Sequence, residues 1–208
     1  MDYLLLLFFI IPPTLASVLQ IMNLGLLIIW PSVVFSILIA FINVQNRNME
    51  IDYLSGVHSK KQFDNFLDNL VRRSHKRDMI GFMLDIDSFK LINDTYGHEV
   101  GDVVIREIGQ ILKETFRTND FIARIGGDEF AVIASLRKED YHVLIARLEN
   151  HLKQFKLRTQ LNFDVLLSVG IIVYDKDKHK TKEAFFNDMD QAMYQNKQQK
   201  KMWIHSDG

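Results

Sequence analysis

Two regions with very different hydrophobic patterns make up this chain of 208 residues. Residues 3–46 contain no Asp, Glu, Lys, Arg or His, and most of them are Leu, Ile, Val or Phe. A helix needs about 20 apolar residues to cross a bilayer, so this run is long enough for two crossings. The pattern therefore predicts transmembrane helices near 3–20 and 24–44, with a turn at Gln20 and Asn23.

The basic residues that follow this run favour a cytoplasmic location for the rest of the chain. Arg47 is the first of them, and Lys60 and Lys61 come next; Lys and Arg are in excess on the cytoplasmic side of membrane helices. We expect a multi-pass protein of the inner (cytoplasmic) membrane with both of its ends in the cytoplasm. A cleaved signal peptide is one alternative, although the start, Met1-Asp2, lacks a basic n-region. A piece of a longer multi-span protein is another.

The remaining residues, 47–208, form a second predicted domain in which short apolar runs alternate with helical periodicity. The predicted helices cover residues 59–73, 100–116, 141–152 and 182–197, and the predicted strands cover 79–84, 121–125, 130–134, 163–174 and 202–205. The order β-α-α-β-β-α-β, preceded by a helix, predicts an α+β fold with helices on one face of an antiparallel sheet.

Composition and charge exclude several kinds of site. The chain has no Cys, which excludes a disulfide scaffold, a Cys-ligated zinc or iron–sulfur site and a thiol nucleophile. Its 25 basic residues are balanced by 26 acidic ones, and this balance argues against nucleic acid as a partner. The hydrophobic fraction of 48% is an average over the membrane-like run and the charged domain.

Carboxylates gather where predicted strands end. Asp85 ends the first strand of the second domain, while Asp128 and Glu129 follow Gly126-Gly127, a pair typical of a hairpin turn. If the two strands are neighbours, the carboxylates converge, and hard oxygen donors suit Mg²⁺ together with substrate phosphates. The glycines allow a close backbone approach to a phosphate. These residues indicate metal-assisted phosphoryl transfer, with solvated turn residues as the simpler alternative.

The segment 126–130 also spells the name-giving motif of the GGDEF family, the diguanylate cyclases, and the chain resembles that family over about residues 52–202. Further matches to the family occur in the family's order at residues 52–56, 85–94, 96–98, 101–102, 168–170, 190–194 and 197. The resemblance implies the ferredoxin-like palm of nucleotidyl cyclases. It also implies an activity, the condensation of two GTP into cyclic di-GMP with release of two pyrophosphates.

The resemblance assigns roles to individual residues of this chain. Asp85, the Ile86 carbonyl and Asp128 match the ligands of Mg²⁺ (or Mn²⁺), and Asp128 and Glu129 match the catalytic carboxylates of the hairpin. The implied substrate-binding residues are Phe89, Lys90, Asn93, His98, Asp102, Gly127, Lys197 and Lys201. Within that set, Asn93 and Asp102 match the pair that reads guanine, and Lys201 stands where the family usually has a phosphate-contacting Arg.

Arg117 and Asp120 match the family's RxxD inhibitory site, at which cyclic di-GMP binds; a local ion pair at a helix end is the alternative.

Because one domain binds one GTP, the resemblance implies a homodimer. A catalytically weak domain that binds cyclic di-GMP as a receptor is the alternative function. A cyclase that makes a different dinucleotide is a third possibility. Asp102 argues against it, because its carboxylate can accept hydrogen bonds from the N1 and N2 donors of guanine and adenine lacks that pair of donors.

Overall fold

In the computed structural model, the described residues are 3–22, 29–46, 50–73 and 78–206. They fall into two units, residues 1–49 and 50–208. The membrane anchor predicted for residues 1–46 and the cyclase domain predicted for residues 47–208 stay predictions.

The first unit is a pair of helices that contact each other, α1 (Tyr3–Ile21) and α2 (Ile29–Asn46). The small residues Ala16 and Ser36 are buried, as is common where apolar helices approach closely. Over the residues that the structure describes, no helix combines the length and the hydropathy that a bilayer crossing requires. The two transmembrane spans therefore stay a prediction.

The turn predicted between these helices is wrong at Gln20. α1 continues through this residue to Ile21, and the N–H of Met22 still donates to the carbonyl oxygen of Val18 at 3.2 Å. Gln has a good intrinsic helix propensity, so one such polar side chain in an apolar run does not end a helix. Asn23, the second predicted turn residue, lies outside the described residues.

The second unit contains a four-stranded antiparallel sheet, which confirms the predicted α+β fold. Its strands are β1 (Met79–Ile86), β2 (Phe121–Arg124), β3 (Glu129–Ser135) and β4 (Leu167–Val173), in the spatial order β2-β3-β1-β4. Its helices are α3 (Lys60–Arg72), α4 (Phe89–Tyr96), α5 (His98–Thr115), α6 (Tyr141–Lys153), α7 (Phe155–Thr159) and α8 (Lys182–Ser206), with a 3₁₀ turn at Lys138–Asp140.

Helices cover both faces of this sheet, so the prediction of helices on one face is wrong. On one face, Phe82 of β1 belongs to a buried cluster with Ile108 of α5. On the other face, Met83 of β1 belongs to a second cluster with Phe63 of α3 and Phe185 of α8. β1 is apolar on successive positions rather than on alternate ones, and a strand of that kind is buried on both faces.

The last predicted strand, residues 202–205, is also wrong, because α8 continues to Ser206. No Gly or Pro interrupts the helix, and a short apolar run cannot by itself distinguish a strand from a helix. The predicted hairpin of β2 and β3 is confirmed to within a residue or two at each end. The helix predicted from residue 100 begins at His98, directly after Gly97, whose φ of +87° separates it from α4.

The approach of α8 to β4 depends on Gly170, and we predict that Gly170→Ala is destabilising. A β-carbon there would lie 2.2 Å from the backbone nitrogen of Met193 and 2.6 Å from the carbonyl oxygen of Met189. Overpacking of this kind costs about 1–3 kcal/mol, or roughly 2–12 °C in the midpoint of thermal unfolding for a domain of this size. As a control, Gly127→Ala should leave the midpoint nearly unchanged, because no atom lies within 4 Å of its β-carbon position.

Candidate active site

Three carboxylates meet at one end of the sheet. β1 and β3 are antiparallel neighbours, and their register pairs Asp85 with Glu129. The N–H of Ile86 donates to the carbonyl oxygen of Asp128 at 3.2 Å, which holds the hairpin turn beside the end of β1. The structure thus brings together the carboxylates that the strand and hairpin patterns place at the ends of separate segments.

One cation of α8 partly compensates this negative charge. Asp85 is only 5% exposed, and its Oδ1 accepts a hydrogen bond from Lys197 Nζ at 2.5 Å. Burial opposes the charge on Lys197, but the hydrogen bond to Asp85 and the charges of Asp85 and Asp128 outweigh it and raise the pKa of Lys197. Lys197 is therefore a fixed ammonium group at the carboxylate cluster.

The other two carboxylates hold their charge less readily than usual. Burial raises the pKa of Asp128, and the charge of Asp85 raises it further. Burial likewise raises the pKa of Glu129, and the charges of Asp128, Asp85 and Asp190 add to the rise. Repulsion of this kind between carboxylates is relieved by protons or by a bound cation.

The oxygen donors present fit a divalent cation such as Mg²⁺ or Mn²⁺. Among the described residues, no three His or acidic side chains form a ready-made metal cage. A cation here would therefore rely on the carboxylates of Asp85 and Asp128 together with a backbone oxygen, such as the Ile86 carbonyl, and on water or substrate oxygens. Mg²⁺ is commonly held in this way, by one or two carboxylates and substrate phosphates.

Asp87, the residue after Asp85-Ile86, fixes β1, β4 and α8 to one another. Asp87 accepts hydrogen bonds from Ser168 Oγ at 2.5 Å and from Lys200 Nζ at 3.2 Å. Lys200 also donates to the carbonyl oxygen of Leu167 at 2.5 Å. No motif of the sequence points to Lys200. The predicted phosphate contact one position further, Lys201, lies in α8 with its side chain outside the described part of the structure.

Arg124, to which no motif of the sequence points, holds the glycine turn of the hairpin. Its Nε donates to the carbonyl oxygen of Gly126 at 3.1 Å, and its Nη2 donates to that of Gly127 at 2.8 Å. Its Nη1 bonds to Asp52 Oδ1 at 3.1 Å. A charged residue at the end of an otherwise apolar strand, two residues before Gly-Gly, is the signal that could have revealed it.

Hydrogen bonds within its own turn hold the Asp52 carboxylate in place for this contact with Arg124. The backbone N–H and the hydroxyl of Ser55 both donate to Asp52 Oδ1, at 2.9 and 2.7 Å. Burial alone would raise the pKa of Asp52, but these hydrogen bonds and the Arg124 guanidinium outweigh burial and lower it. A charged Asp52 thus connects the first turn of the unit, residues 51–58, to the hairpin.

The two turn glycines serve different purposes. A β-carbon on Gly126 would lie 2.6 Å from Glu129 Oε2, so a side chain there would displace a carboxylate of the cluster. A β-carbon on Gly127 would meet nothing within 4 Å. The exposed backbone at Gly127 is therefore open to a ligand; its role in substrate binding stays a prediction.

The residues predicted to read guanine lie on α4 and α5. Asn93 packs so closely against Gly101 that a β-carbon on Gly101 would lie 1.9 Å from Asn93 Oδ1. This oxygen is buried and has no hydrogen-bond partner among the described residues, which is unusual for a buried acceptor. Asp102 and His98 are exposed nearby on α5. The exposed carboxylate of Asp102 can accept hydrogen bonds from a ligand with N–H donors.

Not all of the predicted substrate residues are joined to the carboxylates. Phe89 begins α4, and Lys90 is exposed in its first turn. In the part of the chain that the structure describes, Lys90, His98 and Asp102 make no hydrogen bond or ion pair with the carboxylate cluster. A mainly apolar cavity of about 790 Å³ lies beside Asp87, and it includes Lys197 and Lys200 but not the predicted guanine pair.

A second group of predicted residues, Arg117 and Asp120, lies at the end of α5. The Asp120 carboxylate accepts from the backbone N–H of Arg117 at 2.9 Å and from that of Ser135 at 3.3 Å. It therefore binds backbone amides rather than the Arg117 guanidinium, which differs from the ion pair considered as the alternative. Both residues line a cavity of about 160 Å³ together with Arg147 of α6, which the sequence analysis missed.

We predict that Arg124→Lys loosens the glycine turn, because a lysine keeps the charge but loses the planar fork that reaches two carbonyls and Asp52. Hydrogen bonds to charged groups contribute about 1.5–3 kcal/mol each, so amide hydrogen exchange at residues 125–129 should accelerate by roughly tenfold or more. The measurement is hydrogen exchange followed by mass spectrometry. Arg106→Lys, a substitution at an exposed position of α5, is the matched control. Equal exchange rates in the two variants would contradict the role of Arg124 in holding the turn.

Comparison with known proteins agrees with this geometry. The family model described as "Diguanylate cyclase, GGDEF domain" matches residues 49–202. The chain is 30% identical over 165 residues to an uncharacterized membrane protein of Staphylococcus aureus strain USA300, an alignment that covers 77% of this chain and 46% of that protein. The chain thus spans about half the length of the curated relatives it matches.

Two solved structures are similar to the second unit. The GGDEF domain of YfiN (or TpbB) from Pseudomonas aeruginosa has 30% identity and a TM-score of 0.65, covering 72% of this chain and 89% of that one. The GGDEF domain of DgcB from Caulobacter crescentus, solved in complex with c-di-GMP, has 27% identity and a TM-score of 0.61, covering 73% and 91%. With the family model matching most of its length, the chain belongs to the GGDEF family of diguanylate cyclase domains.

Proposed function

We propose that this protein is a Mg²⁺-dependent diguanylate cyclase that condenses two GTP into cyclic di-GMP and two pyrophosphates. The observation that carries the proposal is the meeting of Asp85, Asp128 and Glu129 with Lys197 at one end of the sheet. In the reaction, the 3′-hydroxyl of each GTP attacks the α-phosphate of the other, and pyrophosphate leaves.

The cofactor in this proposal is Mg²⁺, or Mn²⁺, held by Asp85, Asp128 and the Ile86 carbonyl. When bound, it neutralises the charge of the triphosphate and stabilises the charge that develops at the phosphorus. The support is the donor set itself. Asp128 has a raised pKa, the charge of Asp85 is compensated by Lys197, and these two carboxylates with a backbone oxygen suit a hard cation.

The chain's own residues supply the remaining chemistry. Glu129 has a raised pKa, which makes it a better proton acceptor than an ordinary carboxylate, so we assign it the activation of the attacking hydroxyl. Lys197 and Lys90 contact the triphosphate, joined by Lys201 and by the backbone of Phe89 and Gly127. The ammonium groups orient the phosphates and offset their charge.

Selection of guanine is assigned to Asn93 and Asp102. The buried Oδ1 of Asn93 lacks a hydrogen-bond partner among the described residues, and a carboxylate at Asp102 can accept from the N1 and N2 donors of guanine. Leaving such acceptors unpaired is unfavourable, so a base without these donors binds less well. His98 supports this end of the site from the first turn of α5.

Assembly and regulation complete the proposal. One domain holds one GTP, so two domains must face each other, and the enzyme acts as a homodimer. Arg117 and Asp120 form the site at which the product binds and inhibits, and Arg147 joins them because it lines the same cavity. Arginine forks suit both phosphates and guanine edges.

We also propose that residues 1–46 anchor the enzyme in the cytoplasmic membrane by two helices. The support is the run of 44 residues without a charged side chain, together with the naming of the Staphylococcus aureus relative as a membrane protein. The catalytic domain would then lie in the cytoplasm, on the side of the first basic residues.

We predict that the full chain, incubated with GTP and Mg²⁺, produces cyclic di-GMP, which mass spectrometry detects. Asp128→Asn removes one of the two metal carboxylates and should lower the rate by about 100-fold or more, the scale of losing one preorganised electrostatic group. Asp177→Asn, in an exposed loop, is the matched control and should keep the rate of the unmodified protein.

Absence of product from the unmodified protein at high concentration would overturn the cyclase proposal. If tight binding of cyclic di-GMP were retained in that case, and if Arg117→Gln weakened it, the protein would be assigned to the receptor class instead. Product of a different dinucleotide from mixed nucleotides would overturn the role of Asp102.

We predict that Mg²⁺ stabilises the protein most at neutral pH. The raised pKa values of Asp128 and Glu129 mean that the folded protein binds protons more tightly than the unfolded chain does. Both charged groups therefore destabilise the metal-free fold at neutral pH, and this cost declines as the pH falls through the raised values. Protons and Mg²⁺ compete for the same oxygens, so the stabilisation by Mg²⁺ becomes smaller as the pH is lowered.

The measurement is the midpoint of thermal unfolding with and without Mg²⁺ over a pH series from about 8 to about 5. At 100 times the Kd, binding contributes about 2.7 kcal/mol, or roughly 5–10 °C for a domain of this size. Asp85→Asn should lose this increment at every pH. An increment that grows as the pH falls would contradict the assignment.

A further inference from the structure

The chain passes through a strained turn shortly after Asp85-Ile86. Ser88 has a φ of +58° and a ψ of +28°, which lie in the left-handed region of the backbone. A residue with a β-carbon rarely adopts this region, and it does so only where surrounding contacts hold it there. Ser88 leads directly into α4, which begins at Phe89. The turn therefore sets where the Ile86 carbonyl and the first N–H groups of α4 lie relative to each other.

Backbone hydrogen bonds fix the chain on both sides just before this turn. The N–H of Ile86 donates to the Asp128 carbonyl at 3.2 Å, and the N–H of Asp87 donates to the Leu166 carbonyl at 2.9 Å. The Ser88 side chain forms no capping hydrogen bond with α4. The side chain of Asp87, immediately before Ser88, is therefore the next group that can hold the turn.

Both oxygens of the Asp87 carboxylate are bound. Oδ1 accepts from Ser168 Oγ at 2.5 Å, and Oδ2 accepts from Lys200 Nζ at 3.2 Å. The same ammonium group donates to the Leu167 carbonyl at 2.5 Å, and Leu167 is the register partner of Ile86. One cation of α8 thus bonds to β4 and to the residue that follows β1, at the point where the strained turn begins.

Lys200 reaches this point from a helix that is fixed by its own contacts. Asn196 Oδ1 accepts from the N–H of Val169 on β4 at 3.1 Å, and Lys197 Nζ donates to Asp85 at 2.5 Å. Residues four apart in a helix lie on the same side of it, so Asn196 and Lys200 point toward the same end of the sheet. The position of the Lys200 ammonium is therefore set by the fold before any ligand binds.

We propose that Lys200 is a positioning residue that holds the turn at Ser88 in the conformation that the metal–nucleotide substrate needs. It acts through Asp87 and not on the reacting atoms. The inference rests on the proposed function for the identity of the substrate, a guanosine triphosphate with its divalent cation. Without Lys200 the turn leaves the left-handed region part of the time, and the apparent affinity for the substrate falls with the fraction of competent protein.

A direct contact between Lys200 and a phosphate is the competing explanation, because Lys200 and Lys197 line the same cavity. The two explanations differ in what they require of Asp87. If Lys200 acts through Asp87, Asp87→Ala weakens binding at least as much as Lys200→Met, and the double variant binds no more weakly than Asp87→Ala. If Lys200 contacts the phosphate directly, Asp87→Ala frees its ammonium group and the affinity is kept or improved.

The test uses the full chain in detergent with Mg²⁺. Calorimetry measures the Kd of a GTP analogue whose α–β bridging oxygen is replaced by a methylene group, and turnover of GTP gives KM and kcat. Lys200→Met should raise Kd and KM by about tenfold, the scale of one hydrogen bond to a charged group. It should leave kcat within about threefold, because the bound substrate restores the turn. Lys200→Arg keeps N–H donors for both acceptors and should bind within about threefold of the unmodified protein.

Lys182→Met is the matched control on the same helix. Lys182 Nζ donates to Asp68 Oδ2 at 2.7 Å, and its side chain is 28% exposed, against 39% for Lys200. It lies about five helical turns from Lys200, so its loss removes a comparable ion pair without touching the strained turn. The control should keep Kd and KM within about twofold of the unmodified protein.

Amide hydrogen exchange without nucleotide measures the turn itself. Exchange at residues 86–90 should be faster in Lys200→Met than in Lys182→Met by about tenfold. Equal exchange in the two variants overturns the role of Lys200. Unchanged Kd in Lys200→Met, or affinity kept in Asp87→Ala, overturns it as well. A lower kcat with an unchanged KM also overturns it, because loss of folded protein alone gives that result.

The failure of the proposed function can be told apart from the failure of this role. If the unmodified protein made no cyclic di-GMP but Lys200→Met still weakened binding of the analogue, the cyclase proposal would fail and the role of Lys200 would stand. If the protein made cyclic di-GMP and Lys200→Met left Kd and KM unchanged, the opposite would hold. If the unmodified protein did not bind the analogue, the role of Lys200 would be overturned. Thermal unfolding above the assay temperature verifies that each variant is folded.

Discussion

The buried charge of Asp85 at the end of the central strand is the constraint on which the rest of the second unit depends. An unpaired carboxylate with 5% exposure would be destabilising by several kcal/mol, and Lys197 relieves it across 112 residues of sequence. Lys197 belongs to α8, so this helix must lie close against β4. Gly170 permits that approach by leaving room for the backbone at Met193.

A second set of contacts then holds the hairpin against this fixed end of the sheet. Arg124 bonds to Asp52 and to the carbonyl groups of both turn glycines. The turn in this position places Asp128 and Glu129 beside Asp85, where burial and repulsion raise their pKa values. Burial and repulsion at these carboxylates lower the stability of the metal-free site, and a bound cation would relieve that repulsion.

Local patterns predicted some parts of this arrangement well and others badly. The hairpin of β2 and β3 is predictable because Gly-Gly between two apolar runs is typical of a hairpin turn. The strand predicted at residues 202–205 is wrong because a four-residue apolar run carries no period, and α8 continues through it to Ser206 without a Gly or Pro. Helices on both faces do not follow from local patterns, because a short buried run such as β1 does not show which element covers each of its sides.

The sequence by itself determined which chemical groups this protein has, and through the ordered motifs it identified the family and the carboxylates, lysines and amide of the candidate site. Only the tertiary structure decided what each group touches: Lys197 pairs with Asp85, Arg124 with Asp52 across 72 residues, and Arg147 joins the cavity of Arg117. The physical reason is range. Helix and hairpin signals come from residues three or four apart, whereas pKa shifts, tethers and cavities arise from segments that meet only after the chain has folded.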